Sequence, residues 1–408
     1  MSPGNLAQLR VVTEADVYKG GTRAGVLRRL PDRTEFRYLD GYLSAVAAPV
    51  AWSLPLGDEP AVAPAAAVPA FFAGLLPEGR RLTAIRRRVG TSADDEFSIL
   101  LAVGADTVGD VQVVPAGALL PDASEAPTVD CAHASFAELF ERDIGENPER
   151  SSVPGIQDKV SGRLTTLPIH ERSGTAILKL DPPEFPHLVE NEHFFYRAAA
   201  RTRLRRADAT LVHDRDGVPG LLVHRFDRVV THGRVRALAV EDACQVLGRW
   251  PGDKYVIGLE DALGGLARRC RAPGAATLEL FRLVVFAYLT GNGDLHAKNL
   301  AICQDRRGEW RPAPAFDLPS TAPYGDVDLA LPIEGRVRQQ LSWPLVQRLG
   351  AAIGLPERLA ASVVREQLGA LERWSADLDQ LPFDERLVRS LRRLVLARAR
   401  HIAPPDRP

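Results

Sequence analysis

The alternation of polar and apolar positions in Thr34-Glu35-Phe36-Arg37-Tyr38 predicts a half-buried strand. Val17-Tyr18, a Lys19-Gly20-Gly21 turn and Gly25-Val26-Leu27-Arg28-Arg29-Leu30 precede it, so the chain opens as a small β-rich unit. Prolines at 60, 64 and 69 rule out a continuous helix over 59–70 and predict an extended loop. A helical stripe follows in Phe71, Phe72, Leu75 and Leu76, continued after Pro77-Glu78-Gly79 by Leu82, Ile85 and Val89. Residues 116–129 carry proline, small and acidic residues without an apolar period, which places a domain boundary there. Beyond it, the strand-like Thr175-Ala176-Ile177-Leu178-Lys179-Leu180 and Gly220-Leu221-Leu222-Val223-His224-Arg225-Phe226 flank a helix predicted over Val189 to Arg203. From about Val240 the pattern is nearly all helical, apart from a short strand-like Leu300-Ala301-Ile302-Cys303. It runs through the apolar stretch Leu280 to Leu289 and ends in the stripe Leu387, Val388, Leu391, Leu394 and Val395. The expected fold class is α+β with a β-rich N-terminal lobe and a helical C-terminal lobe, divided as 1–115, 116–240 and 241–408.

Composition narrows the function classes. At 408 residues the chain can hold two or three domains, each with a proper core. A formal net charge of −1 and a pI near 6.8 exclude a chain that wraps nucleic acid or coats an anionic membrane by bulk charge. Any DNA contact must then be local or come through a partner. Cys131, Cys244, Cys270 and Cys303 lie far apart with no C-x-x-C pair, which suggests neither a zinc site nor a disulfide framework. Met1 to Arg10 has no apolar leader-like run and no eighteen apolar residues run together, so a cytoplasmic protein with no membrane partner is expected.

The chemistry concentrates in Gly291-Asn292-Gly293-Asp294-Leu295-His296-Ala297-Lys298-Asn299, after the apolar run. An acid on a tight turn expected to be exposed, a lysine four residues on and an Asn five on suit phosphoryl transfer. Asp294 can accept a hydroxyl proton, Lys298 can meet a phosphate, and the Asn299 amide oxygen can hold Mg²⁺. Alone, D-x-x-x-x-N is a common pattern, and a polar turn after a helix is the plainer reading. Five further pieces stand in the order such a site needs. Ser151 to Lys159, with its single Gly155, offers a loop that can cradle phosphates. Lys179 shares a strand face with Ile177, so its charge requires a counter-ion or a ligand such as the α/β-phosphates of ATP. Glu190-Asn191-Glu192 opens the next helix; Glu192 is the candidate to orient that lysine, although acids there also simply complement a helix N-terminus. Val223 to Arg228 leaves the first lobe as a connector whose backbone can pair with an adenine edge. Asp317, after Phe316 and 18 residues past Asn299, can supply the second metal carboxylate, or serve as a turn or cap residue.

These residues resemble the HipA toxin kinases of bacterial type II toxin–antitoxin modules over nearly the whole chain. Ser152 to Lys159 looks like the family's S-V-x-G-x-Q-x-K loop, and His224-Arg225-Phe226-Asp227-Arg228 like its E-R-F-D-R. Glu241 to Gln245 with Lys254-Tyr255 is similar to E-D-x-C-Q and K-Y, Asp294 to Asn299 to D-x-H-x-K-N, and Phe316-Asp317 to Y-D. Phe71 to Gly79 and Gly104 to Asp110 resemble the F-F-x-x-L-L-P and G-x-D-x-V-G-A signatures of the family's N-terminal subdomain. The resemblance implies a protein-kinase-like fold and a serine/threonine protein kinase with ATP and Mg²⁺ between the lobes. Carried over by position, Asp294 is the proton acceptor, while Asn299 and Asp317 hold the metal. The nucleotide contacts are Pro154, Gly155, Ile156, Gln157, Asp158, Lys159, Lys179, His224, Arg225, Phe226, His296, Ala297, Lys298, Asn299, Phe316 and Asp317, and Ser152 is the autophosphorylated serine. It also implies a helix-turn-helix antitoxin of the HipB kind, operator DNA reached only through it, and an aminoacyl-tRNA synthetase as protein substrate. The chain departs from the pattern at His224 for Glu, Pro154 in the loop and Phe316 for Tyr; none of these removes a catalytic group. Two other readings compete: a small-molecule kinase, which would share Asp294, Asn299 and Asp317, and a non-enzymatic corepressor that clamps an antitoxin on DNA.

Overall fold

Five antiparallel strands build the first sheet: β1 (Glu14–Lys19), β2 (Thr22–Arg29), β3 (Arg33–Tyr38), β4 (Ala61–Pro64) and β5 (Val111–Pro115), in the order β4-β3-β2-β1-β5. The computed structural model describes residues 6–45, 48–120, 128–144, 165–171, 174–231 and 234–405. Ala61–Pro64 departs from the expected loop: it pairs with β3 at the sheet edge, where Pro64 has no ladder donor to lose. The apolar stripe after it forms two helices, Ala70–Gly74 and Gly79–Val89, interrupted near Pro77. Val17, Leu27, Phe36, Phe71, Phe72 and Phe97 form the core between this sheet and the helices.

The second sheet holds β6 (Thr165–Glu171), β7 (Gly174–Leu180), β8 (Ala209–His213) and β9 (Pro219–His224), in the order β6-β7-β9-β8. Its period-two pattern sorts the faces. Leu167, Ala176, Leu178 and Leu222 pack with Phe136 and Phe140 of the Phe136–Ile144 helix. On the other face the register sets Ile177 between Pro168 and Val223, and Lys179 between Thr166 and Leu221. That alternation carries Thr166, Pro168, Ile177, Lys179 and Val223 into the cleft between the lobes.

The C-terminal lobe is built around the Pro273–Thr290 helix, whose Phe281, Val285 and Tyr288 are fully buried. Among the described residues this is the helix long and apolar enough to cross a membrane, and 67% of it is buried in the lobe. The lobe is less helical than its pattern predicts. The strands β12 (Val240–Asp242), β13 (Ala301–Gln304) and β14 (Trp310–Pro312), which follow the ribbon β10 (Arg228–Thr231) and β11 (Arg234–Ala237), form a small antiparallel sheet. Strands of three or four residues are too short to show a period.

The first domain is locked to the connector by a charged knot. Arg225 donates to both Asp106 oxygens at 2.9 and 3.0 Å and to both Asp227 oxygens at 3.0 and 2.8 Å. Arg228 joins the same two carboxylates at 2.8 and 2.7 Å, and Asp227 also accepts the Gly109 N–H at 2.9 Å. Burial alone would raise the Asp227 carboxyl, but the neighbouring guanidiniums hold it below its ordinary range. Asp227→Asn should therefore cost about 3 kcal/mol by leaving two buried cations short of an anion. Because the folded-state pKa is depressed, that difference should be present above pH ~4 and vanish as pH falls through the folded value. Urea denaturation at pH 7 and pH 3 measures it.

Candidate active site

The helix Pro273–Thr290 stops at Gly291, whose φ of 73° suits glycine, and the Gly291 and Asn292 N–H groups return to the last turn. The chain then needs a second glycine for a different reason. A Cβ at Gly293 would lie 2.8 Å from the Asp328 carbonyl oxygen and 2.8 Å from Asp326 Oδ1. Thr321 holds this turn from below: its hydroxyl accepts the Gly293 N–H at 2.7 Å and donates to the Gly291 carbonyl at 3.1 Å. Asn292 bridges the turn to the neighbouring strand end, accepting the Asp294 N–H at 2.9 Å and donating to the Asp317 carbonyl at 3.2 Å. Asn299 donates to the Asp294 carbonyl at 2.9 Å, which leaves its Oδ1 as an acceptor.

Asp294 is not exposed, as the turn pattern suggests, but 1% accessible. Tyr255 covers it, its hydroxyl donating to Asp294 Oδ1 at 2.9 Å, and the segment around Asp326 and Asp328 closes on the neighbouring Gly293. Burial and the Asp294 charge both raise the Tyr255 pKa, so the phenol stays a donor. His296 stands with its ring edge-on to Tyr255, 5.2 Å between centroids. Burial and then Lys254 depress its pKa to about 3, which keeps the imidazole neutral, and its Nδ1 has no partner among the described residues.

Across from the turn, Lys179 Nζ meets Glu192 at 2.7 and 3.0 Å and also bonds Asp317 Oδ1. Lys179 is 5% exposed and Glu192 is fully buried, so neither charge is watered. Burial by itself would depress the ammonium; the Asp317 and Glu192 carboxylates outweigh it and raise its pKa. Asp317 sits at a φ of 52°, a left-handed conformation that aspartate tolerates better than most residues. Glu190, the neighbouring acid, turns away to His187 Nδ1 at 2.6 Å. Asn191 between them grips the Ser320 backbone from both sides, at 2.8 and 3.1 Å. One helix thus positions both Lys179 and the 317–321 segment.

Two carboxylates share the Lys179 ammonium, so the site carries one negative charge in excess. That charge, the Asp317 carboxylate and the Asn299 amide oxygen suit a hard divalent cation such as Mg²⁺, which takes few protein ligands and completes its shell with phosphate and water. Among the described residues no cluster of three or more His, Cys, Asp or Glu forms a self-sufficient metal cage.

The cleft over this constellation has a volume of about 320 Å³. Lys179, His224, Arg225, Phe226, Lys298, Phe316 and Asp317 line it, and the Phe226 and Phe316 rings lie 5.8 Å apart at its floor with Val240 and Ala301. Asp294, His296, Ala297 and Asn299 belong to the buried segment beside it, where the Ala297 N–H is taken by the Lys254 carbonyl at 3.0 Å. The Arg225 side chain is committed to the connector knot, and its N–H to the Thr175 carbonyl at 3.0 Å. Residues Pro154 to Lys159 and Ser152 lie outside the described residues. Sequence reasoning missed Asn191, Asn292 and Thr321 as positioning residues and gave Tyr255 no role. It also missed that Gly74 to Pro77 and Asp106 to Val108 of the first domain form a wall of the cleft. The Leu75-Leu76-Pro77 and Gly104 to Asp110 motifs were the available signal.

Comparison with known proteins agrees with this architecture. The family model described as HipA N-terminal domain matches residues 15–114, and that described as HipA-like C-terminal domain matches residues 151–374. A protein named as a kinase, Y4mE of Sinorhizobium fredii, is 31% identical over 360 residues, 81% of this chain and 84% of that protein. The serine/threonine-protein kinase toxin HipA of Shewanella oneidensis is 31% identical over 284 residues, 64% of this chain and 65% of that protein. The solved complex of the Shewanella oneidensis toxin–antitoxin system, with HipA, HipB and operator DNA, contains a chain that superposes with a TM-score of 0.74 at 25% identity, covering 94% of this chain and 96% of that one. With both family domains matched in order and the two-lobed fold shared along nearly its full length, the chain belongs to the HipA family.

Proposed function

We propose that this chain is an ATP-dependent serine/threonine protein kinase and the toxin of a toxin–antitoxin pair. The observation that carries the reading is the Lys179–Glu192–Asp317 network lining a cleft of nucleotide size and tied through Asn292 to the buried Asp294 turn beside it. In this reading residues 1–115 wall the cleft, 116–240 carry the nucleotide lysine and 241–408 carry the acceptor side. Lys179, held by Glu192, neutralises the α/β-phosphates. The connector and the Phe226–Phe316 floor hold the base, and Asp294 takes the proton of the attacking hydroxyl. Mg²⁺, held by Asn299 and Asp317, would compensate the phosphate charge. Tyr255 keeps the Asp294 carboxylate aimed while water is excluded.

The protein substrate, on family resemblance, is an aminoacyl-tRNA synthetase, and the partner is a small helix-turn-helix antitoxin. The arginines that would otherwise serve DNA are largely engaged within the chain. Arg80 pairs with Glu184 at 2.7 Å, Arg201 with Asp377 at 2.6 Å and Arg205 with Glu279 at 2.6 Å. Operator binding is therefore assigned to the complex with the antitoxin. Ser152 is the autophosphorylation site in this reading; a phosphate there, with roughly −1.5 to −2 charges, would be repelled from a bound triphosphate and withdraw the loop.

The test supplies γ-labelled ATP to the purified chain with a cell lysate and, separately, with its metabolite fraction. Label should enter protein, and mass spectrometry should find phosphate at Ser152 of the parent but not of an Asp294→Ala variant. Label found in metabolites alone would select the small-molecule kinase, and no transfer at all the corepressor.

A further inference from the structure

Glu78 lies at the Pro77-Glu78-Gly79 corner of the first domain, yet its carboxylate reaches two lysines of the C-terminal lobe. Lys298 Nζ is 2.8 Å from Oε1, and Lys254 Nζ bonds Oε2. Lys298 also donates to the Gly74 carbonyl at 3.3 Å, so both of its anchors come from the first domain. The two ammonium side chains are only 13% and 16% exposed, and water screens their mutual repulsion poorly. One carboxylate between them offsets that repulsion, and the Lys298 ammonium still lines the cleft where an anion can meet it. Lys254 is in turn coupled to the acid on the catalytic turn: its carbonyl accepts the Ala297 N–H, and Tyr255 next to it donates to Asp294. Lys298 faces the cleft four residues after Asp294.

We propose that Glu78 is a positioning residue for phosphoryl transfer, fixing Lys298 and Lys254 where the γ-phosphate of ATP meets the acceptor, so that the first domain completes the transfer site. The proposal rests on the kinase reading above. A free lysine side chain samples many rotamers, whereas one pinned by a carboxylate and a carbonyl is pre-organised for the transferring group. The other titratable groups around the pair are Asp242, Cys244, His296 and Tyr255. Asp242 is the nearest substitute anion, but its carboxylate already caps a helix through the Gln245 N–H at 2.8 Å. Burial raises the Asp242 carboxyl to about 6 and leaves Glu78, drawn down to about 2 by Lys298 and Lys254 against its own burial, as the counter-ion that stays charged throughout.

The experiment compares the full-length parent with Glu78→Gln and Glu78→Asp. It measures Mg²⁺-ATP and Mg²⁺-ADP affinities by calorimetry, steady-state transfer, and Tm. Glu78→Gln should lower kcat by about 10–100-fold, the range a misplaced contact costs, and erase the preference for ATP over ADP. Glu78→Asp should recover part of kcat and of the preference for ATP. Tighter ATP binding with kcat held or raised would make Glu78 a brake on the triphosphate and overturn the proposal. A fall in Tm alone, with kcat and nucleotide preference unmoved, would reduce it to a domain tie and overturn it too. If the parent transfers no phosphate, the kinase reading fails, while the ATP-to-ADP affinity ratio still decides whether Glu78 positions the lysines.

Discussion

Asp294→Ala is expected to remove γ-phosphate transfer and growth arrest together, by the 10²–10⁴-fold or so that a positioned base contributes. The residue is buried, so the substitution also strands the Tyr255 hydroxyl that donates to it at 2.9 Å, at a cost of about 1–3 kcal/mol. Asp294→Asn keeps an acceptor for that hydroxyl and separates the two effects: it should fold like the parent and still transfer nothing. Circular dichroism and ATP binding establish the fold, and labelled transfer the activity. Growth arrest at equal expression of either variant would take Asp294 out of the mechanism.

Lys179→Met is expected to cost about 3–5 kcal/mol of stability, because it leaves the fully buried Glu192 without its cation beside a second carboxylate. Burial already raises the Glu192 pKa, and the missing ammonium would raise it further. A carboxyl whose folded-state pKa lies above its unfolded value of about 4.3 loses stability as pH rises through that window. The deficit should therefore be small near pH 4, where Glu192 takes up a proton in both states, and grow toward pH 8. Denaturation midpoints of parent and variant across that range give the answer, and a deficit independent of pH would mean that lost packing rather than a stranded charge sets it.

Much of this site is legible along the chain, for local reasons. Lys179 betrays itself as a charge on the apolar face of a strand. The Gly-Asn-Gly-Asp turn announces a helix end followed by a constrained acid, and Asp317 follows a strand at a readable distance. What escapes a linear reading comes from distant segments meeting. The burial of Asp294 beneath Tyr255 is one case, and the packing of residues 326–328 against Gly293 is another. The link from Glu78 to Lys254 spans 176 residues, so no local pattern could announce it. Strands β4, β12 and β14 escape for another reason: three or four residues do not make a period.

The knot of Arg225 and Arg228 with Asp106 and Asp227 has a kinetic side. A two-lobed protein commonly opens by rotating its lobes about the segment that joins them. Here that segment is tied from outside by the first domain, and rotation would have to pull both buried guanidiniums away from Asp106, while Asp227 travels with them on the connector. Asp106 is 46% exposed, so the two pairs are worth on the order of 1–2 kcal/mol, and the opened form would be populated in about one molecule in 5–30. Nucleotide exchange in this chain should therefore proceed mainly by local movement at the rim of the cleft, with the hinge itself open only in that minor fraction.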